Sequence, residues 1–258
     1  MTDKKLNVLV SNDDGINAQG IHELVKALSR HANVYVAAPH VQRSAAGHSI
    51  TVRGELEVVE KEFENAELAF EITGTPADCV KLGVLLLRNK GINVDMVFSG
   101  INHGGNLGTD TLYSGTVSAA IEGSICGIPA VAVSIDNHDA VNFEPAANLA
   151  AKTLLSVYGK LDSKTVLNIN LPDVPEEELK GVKYTVLGPR EYDEWFKDIS
   201  KEGKAIYEYT GKPVIYDNLP ENFDVMVVQA GYASITPLQY DFTNYNLVEE
   251  ISSWGITD

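Results

Sequence analysis

Two adjacent aspartates, Asp13 and Asp14, follow the apolar stretch Leu6–Val10, which has the length of a β-strand. Ligands of open parallel sheets bind beyond the carboxyl ends of the strands, so we expect these carboxylates at a binding edge. Two neighbouring carboxylates are costly unless a cation pairs with them, and oxygen ligands of this type favour Mg²⁺, Mn²⁺ or Ca²⁺. The competing interpretation is a plain turn, because the flanking Asn12 and Gly15 are turn residues.

A glycine-rich loop, Ser99–Gly108, follows another predicted strand and carries Asn102 and Asn106. Its glycines let the backbone approach a ligand closely, and the two asparagines offer neutral oxygens and amides. The loop is not a Walker motif, because no Gly-Lys-Ser/Thr follows it, and it lacks the strand-to-helix setting of a dinucleotide fingerprint. A flexible loop without function is the alternative.

Ser114, Gly115 and Thr116 come at the predicted start of a helix, where free N–H groups and the helix dipole favour phosphate. An ordinary Ser/Thr cap would use the same residues.

In the loop after the second strand, Ser44 could supply a hydroxyl ligand and Arg43 could contact a phosphate. A single site is favoured because all these clusters follow strands that should end at one edge of one sheet.

Three loop histidines and the two cysteines are not interpreted as metal ligands or nucleophiles. His40, His48 and His103 lie in the same loops, but their spacing matches no zinc pattern, so we expect solvated loop histidines. Cys79 and Cys126 fall in predicted buried helices, and two cysteines make no disulfide framework, which indicates a reducing cytoplasm. Gly-x-Ser-x-Gly is absent, so a hydrolase nucleophile elbow is unsupported.

The elements that position these residues alternate between strands and helices. Ile21, Leu24, Val25 and Leu28 have helical spacing between the strand Leu6–Val10 and a second strand at 34–37. Such a β-α-β order predicts an α/β fold with a mostly parallel sheet and right-handed crossovers. Further strands are predicted at 95–99, 130–135 and 166–171, a strand pair within 51–73, and helices at 75–86, 114–125 and 145–157.

The chain changes character after about residue 175. Seven of the eleven tyrosines fall between 180 and 240, and no helical period is sustained from 182 to 218, which predicts hairpins and extended arms. We therefore divide the chain into a core at 1–175 and a C-terminal region at 176–258. Tyr and Trp are enriched at interfaces, so the C-terminal region is a predicted oligomer interface; a second small core is the alternative.

The composition limits the partners. The formal net charge of −16 opposes binding to nucleic acid and repels phosphorylated substrates at long range. A phosphate site must then be neutralised locally, by a metal or by backbone N–H groups. No run of about 18 apolar residues and no signal-peptide pattern is found, so we expect a soluble cytoplasmic protein without a membrane partner.

Several ordered motifs resemble those of the SurE family, the stationary-phase survival proteins that act as nucleoside monophosphate phosphatases. The resemblance covers nearly the whole chain and is strongest in the glycine-rich loop and the helix start that follows it. The motifs are Val10–Gly15, Ala38-Pro39 with Arg43-Ser44 and His48–Thr51, Gly74–Val80, Ser99–Gly108, Tyr113–Val117, and Gly231-Tyr232 with Ser234–Leu238.

This resemblance implies a Rossmann-like three-layer core with a C-terminal β-hairpin or arm that is exchanged between subunits of a homodimer or homotetramer. It implies one divalent ion per subunit, Mg²⁺ or Mn²⁺. It implies nucleoside 5′-monophosphates as substrates of a 5′-nucleotidase, with 3′-nucleotides and short polyphosphate as further candidates. The implied metal ligands are Asp13, Asp14, Ser44 and Asn102, and the implied substrate-binding residues are Asn12, Asn106, Ser114, Gly115 and Thr116.

The hypothesis for the reaction is direct attack by metal-activated water, with Asp14 as the carboxylate that orients or deprotonates the water and Asp13 mainly a ligand. One alternative makes Asp13 a nucleophile that becomes phosphorylated; such enzymes use Asp-x-Asp, whereas here the acids are adjacent. The other alternative is a nucleotide- or metal-binding regulator without turnover.

Overall fold

A nine-stranded sheet forms the centre of the molecule. The computed structural model describes residues 5–193 and 195–256. The strands are β1 (Leu6–Ser11), β2 (Ala32–Pro39), β3 (Val58–Lys61), β4 (Leu68–Ile72), β5 (Met96–His103), β6 (Ala130–Ile135), β7 (Val166–Leu171), β8 (Val182–Tyr184), β9 (Phe196–Asp198), β10 (Tyr207–Tyr209) and β11 (Ala233–Leu238). The α-helices are α1 (Gln19–Leu28), α2 (Pro76–Asn89), α3 (Gly115–Ile125), α4 (Phe143–Val157), α5 (Asp224–Gln229) and α6 (Tyr245–Ile251). Short 3₁₀ turns lie at Gly108–Leu112, Glu176–Glu178 and Ser252–Trp254.

The sheet is mostly parallel, as the β-α-β order predicts. Its strand order is β3-β4-β2-β1-β5-β6-β7-β11-β8. The six strands from β4 to β7 in that order run parallel to one another, β3 is antiparallel to β4, and β11 is antiparallel to β7. Strands β9 and β10 form a separate antiparallel hairpin. The C-terminal region therefore supplies both a hairpin and two strands of the main sheet.

Helices cover both faces of this sheet, which produces three layers. Val8 and Val10 of β1 pack in the cluster that includes helices α1 and α4, whereas Leu9 packs in the cluster of α2 and α3. The sequence of a strand that is covered on both faces is a continuous apolar run, because successive side chains pack alternately in the two cores. The apolar stripe of α1 is buried as its spacing predicts: Ile21, Leu24, Val25 and Leu28 each have no exposed surface.

The start of α2 has the local chemistry that its sequence predicts. The Thr75 hydroxyl accepts from the Asp78 N–H, the Asp78 carboxylate accepts from the Thr75 N–H, and Pro76 opens the helix. Both cysteines are free: Cys79 is buried, whereas Cys126, the C-cap of α3, is partly exposed and packs against the edge of the core. No helix in the described part of the chain has the length and hydropathy needed to cross a bilayer.

Candidate functional site

The loops after β1 and β2 meet the end of β5 at one edge of the sheet, and Asp14 is their common contact. One of its carboxylate oxygens, Oδ2, lies 3.2 Å from the backbone nitrogen of His103 and 3.3 Å from Nδ1 of the same residue. The other, Oδ1, accepts from the Gln42 side-chain amide at 3.3 Å, and that amide also donates to the Ser44 hydroxyl at 2.9 Å. Polar clusters far apart in the sequence are thus brought together.

Asp13 is buried against the start of helix α3. Its carboxylate accepts a hydrogen bond from the Thr116 hydroxyl, and its backbone oxygen accepts from the Arg43 N–H at 2.7 Å. Only 4% of the residue is exposed. The pKa of Asp13 is raised to about 6, mainly by burial and also by the negative charge of Asp14, while the Thr116 hydrogen bond acts in the opposite direction. The ionised form of this carboxyl is therefore less favourable than that of a free aspartate, and a nearby positive charge would stabilise it.

The oxygen atoms at this edge fit a hard divalent cation. Within 5–193 and 195–256, no three His, Cys, Asp or Glu side chains are arranged to hold a metal, so an ion here would need neutral oxygens beside Asp13 and Asp14. Ser44 offers an exposed hydroxyl. The Asn102 side-chain nitrogen donates to the Gly104 carbonyl at 2.7 Å, so the side-chain oxygen of Asn102 faces away from that carbonyl. The buried Oδ1 of Asn12 has no hydrogen-bond partner. Carboxylate, hydroxyl and amide oxygens are the ligands that Mg²⁺ and Mn²⁺ accept.

The N-terminus of α3 lies beside Asp13 and has the features of an anion-binding site. Ser114 is the N-cap, and its hydroxyl accepts from the Val117 N–H at 3.0 Å. The first N–H groups of an α-helix have no intrahelical acceptor, so they and the helix dipole favour a phosphate. The Thr116 hydroxyl is committed to Asp13, so this side chain joins the aspartate to the helix start. The carboxylate of Asp13 and the N-terminus of α3 are therefore adjacent parts of one site.

Asn106 is fixed by a network of buried amides that the sequence analysis missed. Its N–H donates to the Asn170 side-chain oxygen at 2.7 Å, and its own side-chain amide donates to the Ser134 hydroxyl at 2.7 Å. Its carbonyl oxygen accepts from the side chains of Asn168 and Asn170, at 2.8 and 3.1 Å. Asn168 and Asn170 alternate with apolar residues in β7, and buried polar residues in such a strand are the signal that points to them. Asn106 makes no direct hydrogen bond to Asp13 or Asp14 among the described residues.

The expectation of a solvated loop histidine holds for His48, which is exposed, but not for His103, and both have carboxylate partners. His103 is partly buried, contacts Asp14 and packs edge-on against Phe143 with ring centres 5.0 Å apart. His48 lies 2.9 Å from the carboxylate of Glu122, which is almost fully buried and also accepts from Lys81 at 2.7 Å. Glu122 lies on α3, far from His48 in the sequence, so the composition of the loop does not predict the contact between His48 and Glu122.

Comparison of the sequence with known families gives one consistent result. The model of the family described as survival protein SurE matches residues 8–194. The 5′-nucleotidase SurE of Petrotoga mobilis is 42% identical over 255 residues, which are 96% of this chain and 99% of that protein. The 5′-nucleotidase SurE of Pelotomaculum thermopropionicum is 45% identical over 249 residues, which are 95% and 94% of the two chains.

A solved structure agrees with the sequence comparisons. The crystal structure of the SurE protein from Aquifex aeolicus superposes with a TM-score of 0.84 at 38% sequence identity, and the match covers 95% of this chain and 98% of that one. The likeness therefore extends through the core and the C-terminal region alike.

Proposed function

Because this chain belongs to the SurE family, we propose that it is a 5′-nucleotidase, a phosphoric monoester hydrolase that releases phosphate from nucleoside 5′-monophosphates. The observation that carries the proposal is the contact between the Asp13 carboxylate and the start of helix α3. A pair of carboxylates suits a cation, a helix N-terminus suits an anion, and a phosphomonoesterase needs both side by side.

One divalent ion per subunit, Mg²⁺ or Mn²⁺, would be held by Asp13, Asp14, Ser44 and Asn102. The two carboxylates offset the charge of the ion, so a phosphate can approach despite the net charge of −16. When bound, such an ion supplies Lewis-acid chemistry: it lowers the pKa of water and stabilises charge on the phosphoryl oxygens.

The residues of this chain bind and orient the substrate. N–H groups at Gly115 and Thr116, with the side chains of Ser114 and Asn106, would hold the phosphoryl oxygens and place the leaving oxygen opposite the attacking water. The unpartnered Oδ1 of Asn12 would accept a hydrogen bond from water or from a substrate hydroxyl.

Asp14 would orient or deprotonate the attacking water, since it is held from two sides by His103 and Gln42. Asp13 would remain a ligand that Thr116 keeps in position.

We propose further that the C-terminal region, 176–258, joins two or four copies of the chain, while 1–175 forms the metal- and phosphate-binding core. Large apolar side chains are exposed there: Phe242 is 80%, Tyr245 68% and Trp195 62% exposed. Aromatic side chains are enriched at protein interfaces. We place the enzyme in the cytoplasm, and the support for this is the pair of free cysteines.

A panel of phosphomonoesters tests the function. Nucleoside 5′-monophosphates should release phosphate faster than 3′-nucleotides, short polyphosphate and sugar phosphates when Mg²⁺ or Mn²⁺ is present. Binding of nucleoside monophosphates without phosphate release from any ester would favour the regulator instead and contradict the proposal.

A further inference from the structure

The loop that leads into helix α3 is held in place by the C-terminal region. We define the phosphate loop as residues 104–114, which carry Asn106 and end at the cap residue of α3. Leu107 is fully buried and packs in a small cluster with Val225 and Val228. The Gly108 N–H donates to the Asp224 carboxylate at 2.8 Å, and the other oxygen of that carboxylate accepts from the Gly188 N–H, also at 2.8 Å.

A second set of contacts converges on Asp110. The Tyr192 hydroxyl donates to the Asp110 carboxylate, and the Arg190 guanidinium lies 3.4 Å from the same oxygen. Arg190 also lies 3.3 Å from the carboxylate of Asp136, and its carbonyl oxygen accepts from the Thr109 hydroxyl at 2.9 Å. Burial, reinforced by Asp110, raises the pKa of Tyr192 to about 12, so its hydroxyl remains a donor at neutral pH.

Asp110 connects these contacts to the proposed phosphate site. Its backbone oxygen accepts from the N–H groups of Tyr113 and Ser114, at 3.0 and 3.1 Å. Ser114 is the N-cap of α3. In the other direction, Tyr192 bridges to Pro213 at the base of the segment that contains the β9–β10 hairpin. A continuous chain of polar contacts thus runs from the C-terminal hairpin to the start of the helix.

We propose that Tyr192 and Arg190 are positioning residues that hold the phosphate loop in its substrate-binding conformation through Asp110. The proposal rests on the proposed function, because it assumes that this loop binds the phosphate. A loop that is already ordered loses little entropy when it binds the phosphate. A loosened loop has the binding conformation for only a fraction of the time. Apparent affinity falls in proportion to that fraction, while turnover of the bound substrate is unchanged.

The test compares Tyr192→Phe with Tyr184→Phe, which removes a hydroxyl from a side chain that is largely exposed. In Tyr192→Phe, the KM for a nucleoside 5′-monophosphate and the inhibition constant of inorganic phosphate should rise by the same factor, about fivefold, with kcat nearly unchanged. Backbone amides of 104–114 should exchange hydrogen faster, while those of β1 and α1 keep the wild-type rate. Tyr184→Phe should match the wild type in all three measurements.

A second variant separates positioning from simple loss of folded protein. Adding Asp110→Asn to Tyr192→Phe should change KM less than the product of the two single effects, because both substitutions remove the same contact. A lower kcat with unchanged KM, or exchange rates in 104–114 equal to those of the wild type, would overturn the proposal. If the wild type hydrolyses no nucleotide, the proposed function fails, and the exchange rates alone still decide whether Tyr192 holds the loop.

Discussion

Gly115 lies directly against the side chain of Asp13. A methyl group at its Cα would lie 2.7 Å from Cβ of Asp13 and 2.8 Å from Oδ2. The first residue of helix α3 is thus small because a carboxylate from the loop after β1 occupies the space beside it. The separation of the aspartate pair from the helix N-terminus, on which the proposed chemistry depends, is set by this contact.

Gly115→Ala should therefore reduce kcat/KM by about 100-fold, because a displacement near 1 Å at reacting groups has effects of this size. The helix itself accepts alanine at least as well as glycine, so thermal unfolding should change by only a few degrees. Phosphate-release kinetics and a melting curve on the same sample check the prediction. Wild-type kinetics would show that Asp13 and the helix need not be in contact.

Glu122 should contribute stability that depends on pH. Burial favours its neutral form, yet hydrogen bonds and charges from His48 and Lys81 outweigh this and hold the pKa of Glu122 below its ordinary value of 4.5. A carboxyl group with a lowered pKa in the folded state stabilises the fold above its unfolded pKa, and this contribution is lost as the pH falls through the folded pKa. Glu122→Gln should lower the free energy of unfolding by about 1–3 kcal/mol at neutral pH.

Chemical denaturation at pH 7 and at acidic pH measures this difference. The deficit of Glu122→Gln should shrink below the ordinary carboxyl pKa of 4.5. Glu177→Gln, at an exposed position in the 3₁₀ turn Glu176–Glu178, serves as the matched control and should leave stability unchanged. An equal deficit at both pH values would mean that the charge of Glu122 is irrelevant.

Local signals explain which parts of the fold could be predicted from the sequence. The apolar spacing of α1, the capping box at Thr75 and Asp78, and the cap at Ser114 each depend on residues within one or two helical turns. Such signals require no knowledge of the rest of the chain.

The contacts that the sequence did not predict join polar groups far apart along the chain. His48 and Glu122 are 74 positions apart, and Asp110 and Tyr192 are 82 positions apart. The side chains of Asn168 and Asn170 reach Asn106 only because β7 lies two strands from β5 in the sheet. No local pattern in the sequence identifies such partners. These long-range polar contacts can be recognised only once the order of the strands in the sheet is known.

The exposed aromatic side chains of the C-terminal region should form an interface between copies of the chain. Sedimentation at micromolar concentration should show a dimer or tetramer. Phe242→Asp should shift the population towards smaller species, because it places a charge in an apolar interface. Val141→Asp, a matched change at a position that is 72% exposed outside 176–258, should not. A monomeric wild type would contradict the interface.

The reaction should invert the configuration of a chiral phosphate ester, because direct attack of water is a single displacement. In the alternative scheme, Asp13 attacks first and the ester passes through two displacements with net retention. Burial of Asp13 and its hydrogen bond to Thr116 favour a fixed ligand over an attacking group. Retention, or a phosphoaspartate trapped at Asp13 after rapid quenching, would replace this mechanism and leave the phosphatase assignment intact.

The most direct test of the central claim is phosphate release from a nucleoside 5′-monophosphate by chelated and dialysed protein, with and without added Mn²⁺. We expect activity to return only with the ion, and Asp14→Asn, though folded, to keep less than about one-hundredth of it. The matched control, Asp139→Asn at an exposed position, should behave as the wild type does. Full turnover in excess chelator, or wild-type turnover in Asp14→Asn, would contradict a metal site at the aspartate pair.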